Sequence, residues 1–337
     1  MAMKRLATCV AAFLVSIMPV SASAWGSAGH RMIGEAALGG LPDALPDFLK
    51  TSQAIADVGE YSRELDRSKG AGRLHDQNLD PGHFMDVMDD GTILGGPKLT
   101  ALPGTREDFE TALRASSTSS WKAGWLFYSI VERQQQLTKD LAYWRVLKAA
   151  LGHEKNPTHK AWLMADQKRR EGLILANLGQ LSHFVGDGAQ PLHVTIHFNG
   201  WGDFPNPENY TRARIHTPFE GEFVAANVQL KQVREAMSPP TAISLPLDGQ
   251  VTGYLAETAA RVVPLYALEK RGGFTNANPE GVRFAIQRLA AGASELRNLL
   301  VTAWSDSSRQ TVGWPAVSLA DVESGKVDAY LALYGND

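Results

Sequence analysis

Apolar residues recur at three- and four-residue spacing, with charged residues between them, over Arg106 to Ala115, Trp121 to Leu151 and Thr158 to Phe184. That period suits helices and excludes half-buried strands, which need strict alternation. The same spacing predicts helices from Thr217 to Met237, Gln250 to Lys270, Pro279 to Trp304 and Leu319 to Tyr334. Thr217 and Pro218 read as an N-cap followed by proline at the first helical position. Alternating patterns are scarce, so the expected fold class is all-α, a single mostly helical domain. The stretches Gly91 to Pro103 and Phe198 to Tyr210 carry the glycine and proline of long surface loops. Trp121, Trp125, Tyr128, Tyr143 and Trp144 stand at helical spacing and are assigned to the core.

The first 24 residues are of another kind. Lys4 and Arg5 precede the apolar run Leu6 to Val20, and Ser21-Ala22-Ser23-Ala24 supplies an Ala-x-Ala site. Residues 1–24 therefore read as a secretory signal peptide cut after Ala24, leaving one domain over 25–337. The product is expected to be exported to the periplasm or the medium as a monomer. No transmembrane segment is expected, because this apolar run is short for a bilayer and no later stretch is long enough. Cys9, the single cysteine, lies in the leader. Any metal in the mature chain must then be held by nitrogen and oxygen, with no disulfide present. A net charge of -3 lacks the basic excess that blanket phosphate neutralisation requires. That excludes a stable nucleic-acid complex but leaves room for a local phosphate site.

Several of the nine histidines come with carboxylates at ligand spacing. His183 and Asp187 are four apart, which stacks them on one helix face, and Gln190-Pro191 then breaks the helix so that His193 can fold back. His216 and Glu220 form a second such pair. Two His-x-x-x-carboxylate pairs and a third histidine point to a multinuclear zinc site. Cleavage after Ala24 makes Trp25 the first residue, and a free α-amine with its own carbonyl oxygen can chelate a metal in a five-membered ring. His30 follows in Trp25-Gly26-Ser27-Ala28-Gly29-His30.

An N-terminal Trp made by processing, a nearby His, and His-x-x-x-Asp-x5-His with Gln-Pro-Leu before the last His together resemble the trinuclear zinc phosphodiesterases. That superfamily comprises S1/P1-type single-strand nucleases and zinc-dependent bacterial phospholipases C. The matching motifs run from Trp25 to about Val224. The resemblance implies a phospholipase C/P1 nuclease fold with long loops around a trinuclear zinc cleft, and three zinc ions per chain. It implies Trp25, His30 and Asp187 as ligands of one ion. Asp57, His83, His183 and Asp187 are implied for the second, with Asp187 bridging, and His193, His216 and Glu220 for the third. It further implies a zinc-dependent phosphoric ester hydrolase, in which paired ions lower the pKa of water toward roughly 7 and Asp57 orients the attacking water. Arg63 reads either as a partner for charge on the phosphate or as a surface arginine.

Two branches of the superfamily compete. The run Trp-Gly-x-x-Gly-His and its short spacing favour the nuclease, an endonuclease or 3'-nucleotidase acting on single-stranded nucleic acid or nucleotides. Glu220 in His216-Thr217-Pro218-Phe219-Glu220, and the lack of Gly-Gly-Asn between His193 and His216, resemble the phospholipase C, whose substrates are phospholipids. A non-catalytic exported zinc-binding protein is a third reading. His197, Asn199 and Trp201 are assigned to a substrate loop, where Trp201, Phe198 and Tyr210 either meet substrate or anchor the loop. His75, His153 and His159 read as loop or solvated residues. Asp86 and Glu222 read as exposed acids or as orienters of the ligands beside them.

Overall fold

The computed structural model describes residues 25–241 and 245–335. The expected leader over 1–24, Cys9 included, lies outside the described residues. The architecture is mostly helical. Six helices carry it: α1 (Gly26–Gly39), α2 (Ser52–Tyr61), α3 (Leu126–His153), α4 (Pro157–Ala189), α5 (Leu247–Ala259) and α6 (Pro279–Ser307). Other helices, none longer than α2, join them. Among the described residues the one sheet is an antiparallel pair of two-residue strands, β1 (Thr311–Val312) and β2 (Val317–Ser318). None of the described helices is long and apolar enough to cross a membrane.

Helix α4 begins where Asn156 accepts the Thr158 amide at 2.9 Å, with Pro157 at the first helical position. Asn278 and Pro279 start α6 in the same way, Asn278 taking the Glu280 amide at 2.9 Å. Helices α3 and α4 pack on each other as a hairpin, and α1, α2, α5 and α6 close around the second half of α4. From Leu181 to Ala189 every residue of α4 is buried. So dense a surround requires small residues. A Cβ on Gly186 would stand 2.9 Å from Nδ1 of His30, so glycine lets α1 bring that imidazole onto α4. A second, smaller apolar cluster lies at the far end of the hairpin. There Val312, Val317, Val322 and Ala329 cover Val146, Leu147 and Leu163.

Several expected helices are divided. Thr217 to Met237 becomes a π-helical turn (Pro218–Phe223), a short helix (Val224–Asn227) and a third (Leu230–Ala236). Gln250 to Lys270 splits into α5 and Val262–Lys270, and Leu319 to Tyr334 into Leu319–Glu323 and Ala329–Leu333 around Gly325. The break with most consequence falls at Gly124. Trp121 belongs to the short helix Ser120–Ala123, and α3 starts only at Leu126. Gly124 has φ 75° and ψ 167°, and a Cβ there would collide with the carbonyl of Phe84. Gly124→Ala is therefore expected to cost at least about 2 kcal/mol, from a backbone region nearly closed to other residues plus that clash. A urea titration of stability checks it. The break also turns Trp121 out of the core: it is 54% exposed, whereas Trp125, Tyr128 and Trp144 are buried as expected.

Candidate metal centre

Histidines from four separate stretches meet beside the buried half of α4. His30 comes from α1, His83 from the 3-10 turn Asp80–His83, His183 from α4 and His193 from the turn Pro191–His193. Helix α4 stops at Ala189 ahead of Pro191, and His193 returns toward His183 and Asp187 as the Gln190-Pro191 break suggests. Glu220 lies on the π-helical turn, a geometry frequent at functional sites, and His216 stands two residues before that turn begins. Three groups of side chains could each hold a metal ion: His30, Asp66 and His183; His83, His183 and Asp187; and His193, His216 and Glu220. Within each group one donor atom per residue lies within 4.8 Å of the others.

These residues face one another without bonding. Nε2 of His30 and of His183 each stand 3.5 Å from an Asp187 oxygen. Nε2 of His183 is 3.9 Å from Asp66 Oδ1, and Nε2 of His193 is 3.8 Å from Glu220 Oε2. Nε2 of His216 comes within 2.8 Å of Glu220 Oε2, yet not with hydrogen-bond geometry. Both Asp187 oxygens, Glu220 Oε1 and the Nε2 atoms of all five histidines are buried with no hydrogen-bond partner. Buried polar atoms are ordinarily satisfied, so a cluster of orphans aimed at shared points is what a cation-binding cage requires.

The outer nitrogens explain the aim. His183 Nδ1 bonds the Ser62 carbonyl at 2.7 Å, His193 Nδ1 the His83 carbonyl at 2.7 Å and His83 Nδ1 the Leu79 carbonyl at 3.0 Å. A carbonyl only accepts, so each Nδ1 carries the proton and each Nε2 turns its lone pair inward. Burial, followed by the neighbouring imidazoles, holds His30 and His83 well below the ordinary histidine pKa, and burial brings His183 down to about 4. All three are thus neutral and ready to donate at neutral pH. Burial pushes the Asp187 carboxyl well above its usual range, with Asp66 and Glu220 adding to the effect. Burial alone would raise Glu220 too, but His216 and His193 beside it bring it below its ordinary value.

Of the residues implied by the resemblance, His30, His83, His183, Asp187, His193, His216 and Glu220 are brought together, and Asp57 and Arg63 are not. Asp57 sits on the partly exposed side of α2, where its carboxylate takes the Gln53 amide at 2.8 Å. The acid that reaches the histidines is Asp66. Helix α2 ends at Tyr61, Ser62 is pinned by His183, and the next turn, Glu64–Arg67, carries Asp66 to His183. Arg63 pairs with Glu60 at 2.7 Å. Sequence reasoning also passed over Lys69, whose ammonium lies 2.6 Å from Asp66 and lines the cleft.

Trp25 is fully buried, its indole N–H donating to the Gly186 carbonyl at 2.7 Å. In the full-length chain its main-chain nitrogen is a peptide N–H, and it donates to Glu220 Oε2 at 3.2 Å rather than facing His30 and Asp187. Gln190 Nε2 donates to the same oxygen at 3.2 Å, while Gln190 Oε1 accepts the Leu192 amide. Glu220 Oε2 is thereby tethered in its place beside Nε2 of His216 and His193. Gln190→Leu keeps the bulk and removes the tether, so metal affinity is expected to fall 10- to 100-fold with the fold intact. Titration against a chromophoric chelator, with circular dichroism as control, checks this.

The cage opens on one side into a cleft of 610 Å³ lined by His83, His193, His216, Lys69, Phe84 and Asp86. Burial lifts the Asp86 carboxyl to about 7. In the expected substrate loop, His197 is buried, stacks on Trp201 at 3.8 Å and bonds Asp89 and the Trp201 carbonyl. Asn199 accepts the His216 amide at 3.2 Å. Trp201 and Tyr210 are buried anchors of the loop, and only Phe198 of that aromatic set lines the cleft. His75 pairs with Asp76, His159 stacks on Tyr330, and His153 and Glu222 are exposed, all apart from the cage. Compared with known proteins, the chain matches no family model and no curated protein.

Proposed function

We propose that the chain is an exported zinc-dependent phosphodiester hydrolase of the S1/P1 nuclease and phospholipase C type, holding three zinc ions and acting as a single-strand nuclease or 3'-nucleotidase. The reading is supported by one observation above the rest: three nitrogen-and-oxygen donor groups lie together, and histidines from two of them, His83 from one and the pair His193 and His216 from another, line an open cleft. Closed structural zinc sites bury all their ligands from solvent, whereas catalytic ones keep a face open. Here His83, His193 and His216 all line the cleft, which favours an enzyme over a protein that only stores metal. Donors limited to imidazole and carboxylate suit zinc.

His30, Asp66, His83, His183 and Asp187 would hold the ions on the α4 side, and His193, His216 and Glu220 the ion on the other. Bound there, divalent ions polarise phosphoryl oxygens and lower the pKa of water, which supplies a nucleophile at neutral pH. The chain's own part is orientation and charge. Carbonyls of Ser62, His83 and Leu79 fix the imidazoles. Asp66, Asp187 and Glu220 offset cationic charge, and the Lys69 ammonium is placed to meet a phosphate oxygen entering the cleft. Phe84 and Leu192 form an apolar wall that lowers the dielectric around that charge.

Glu220 and the apolar wall also suit the phospholipase reading. A panel of single-stranded DNA and RNA, 3'-nucleotides and phosphatidylcholine, run with elemental analysis and with a zinc chelator, tests both. Chelator-sensitive cleavage of single strands with two or three zinc per chain is the expected result. Chelator-resistant or absent hydrolysis of every substrate overturns it.

A further inference from the structure

Beyond the metal cage, the cleft is rimmed by features that no metal ligation requires. Trp121, 54% exposed, and Phe198, 52% exposed, both line it. Large aromatic side chains left in water at the mouth of a cleft mark contact surface. Beside Trp121 stands Lys122, exposed and in no ion pair among the described residues. The platform beneath them is rigid. The Asp86 amide donates to the Ala123 carbonyl at 2.8 Å, the Trp125 amide to Pro81 at 2.7 Å and the Leu126 amide to Phe84 at 3.1 Å. These bonds clamp the helix Ser120–Ala123 to the segment that carries His83. Phe198 follows His197 in the chain, and His197 is locked to Asp89 and Trp201.

We infer that Trp121 and Lys122 form a second subsite, set outward from the metal cage, that takes the base and phosphate of the nucleotide adjoining the one being cut. This rests on the phosphodiester reading and deepens it, because a substrate of at least two linked nucleotides is what would use both. A stacking ring with a neighbouring cation on a fixed platform matches the way single strands are bound without sequence preference. A cleft of 610 Å³ is also far larger than one phosphate fills. Asp76 and Asp80 line the same cleft beside Lys69 and disfavour a further phosphate beyond the one Lys69 meets, which leaves Lys122 as the cation for the adjoining one. A lipid would use the aromatic rings as apolar surface and gain less from the isolated cation.

The test uses the full protein with its metals and a labelled, phosphorothioate-linked single strand that resists cleavage, followed by fluorescence anisotropy. Trp121→Ala should weaken binding about five- to 100-fold, the usual worth of one stacked base, and Trp121→Phe should restore most of it. Lys122→Gln should lower the slope of log affinity against log salt by about 0.7, one phosphate contact on a single strand. Hydrolysis of bis(p-nitrophenyl) phosphate, which fills only the metal-facing part, should stay within twofold in both variants. Unchanged strand binding, an equal loss on the small diester, or a loss seen only with phosphatidylcholine vesicles would each overturn the subsite. Failure of the small diester to be cleaved at all would instead count against the hydrolase reading, since the anisotropy result stands without catalysis.

Discussion

Asp187→Asn is expected to strip metal from the α4 side of the cage and to lower phosphodiester hydrolysis by on the order of a thousandfold or more. The size follows from the several kcal/mol of transition-state charge stabilisation that a bound ion supplies, at about 1.4 kcal/mol per tenfold. Asp187 is the carboxyl of the His83 and His183 group and stands 3.5 Å from Nε2 of both His183 and His30. Stability provides the sharper readout, because the sign of the change depends on the ions. Without them, the fully buried Asp187, with neither oxygen hydrogen-bonded, must be folded with a proton that the unfolded chain releases at neutral pH, and an amide of the same shape avoids that cost. The chelated variant should therefore melt no lower than the chelated wild type. With zinc present the wild type gains binding free energy that the variant forgoes, so the variant should melt lower. Equal destabilisation with and without chelator would make Asp187 a packing residue and remove it from the cage.

Much of this site was legible because its ligands sit in local patterns. His183 and Asp187 share a helix face, Pro191 forces the turn that brings back His193, and His216 and Glu220 keep their pairing although the helix there is a π-turn rather than the α-helix the spacing suggests. The acid opposite His183 was not legible in that way. Asp57, Glu60 and Asp66 are all acids near the end of one amphipathic helix. Which of them faces α4 depends on where α2 stops, and that is decided by His183 bonding the Ser62 carbonyl 121 residues away in sequence. Trp121 misled for a related reason. Its spacing continues the helix of Trp125 and Tyr128, but Gly124 breaks the phase because the Phe84 carbonyl occupies the space a Cβ would need. In both places long-range packing overrode a local period. A glycine inside an apolar helical run, followed by tryptophan, was the available sign of the second.

Loading with zinc should make stability fall more steeply as pH is lowered than it does in the chelated protein, by at most about 1.4 kcal/mol per pH unit, the worth of one proton. The difference comes from Asp187. In the ion-free protein, burial keeps His30, His83, His183 and His193 below their ordinary pKa, so under pH 6.5 the unfolded chain takes up protons that the folded chain refuses. Those four groups make stability fall as pH falls. Asp187, Asp86 and Glu295 act oppositely, because burial raises them and the folded chain keeps protons that the unfolded chain releases above about 4.5. Their contribution is present at low pH and lost as pH rises, so it opposes that of the histidines. Seating cations forces Asp187 to give up its proton and leaves the already neutral imidazoles unchanged. One proton is thereby removed from the opposing side, and one proton is worth about 1.4 kcal/mol per pH unit. With one proton displaced, apparent zinc affinity should drop by no more than about a hundredfold from pH 6.5 to 4.5, far less than four competing histidine protons would impose. Urea midpoints at pH 6.5, 5.5 and 4.5, with and without chelator, together with zinc titrations at each pH, measure both quantities. Parallel stability lines would show that Asp187 does not exchange its proton for metal, and a four-proton loss of affinity would show that the imidazoles are not held neutral in advance.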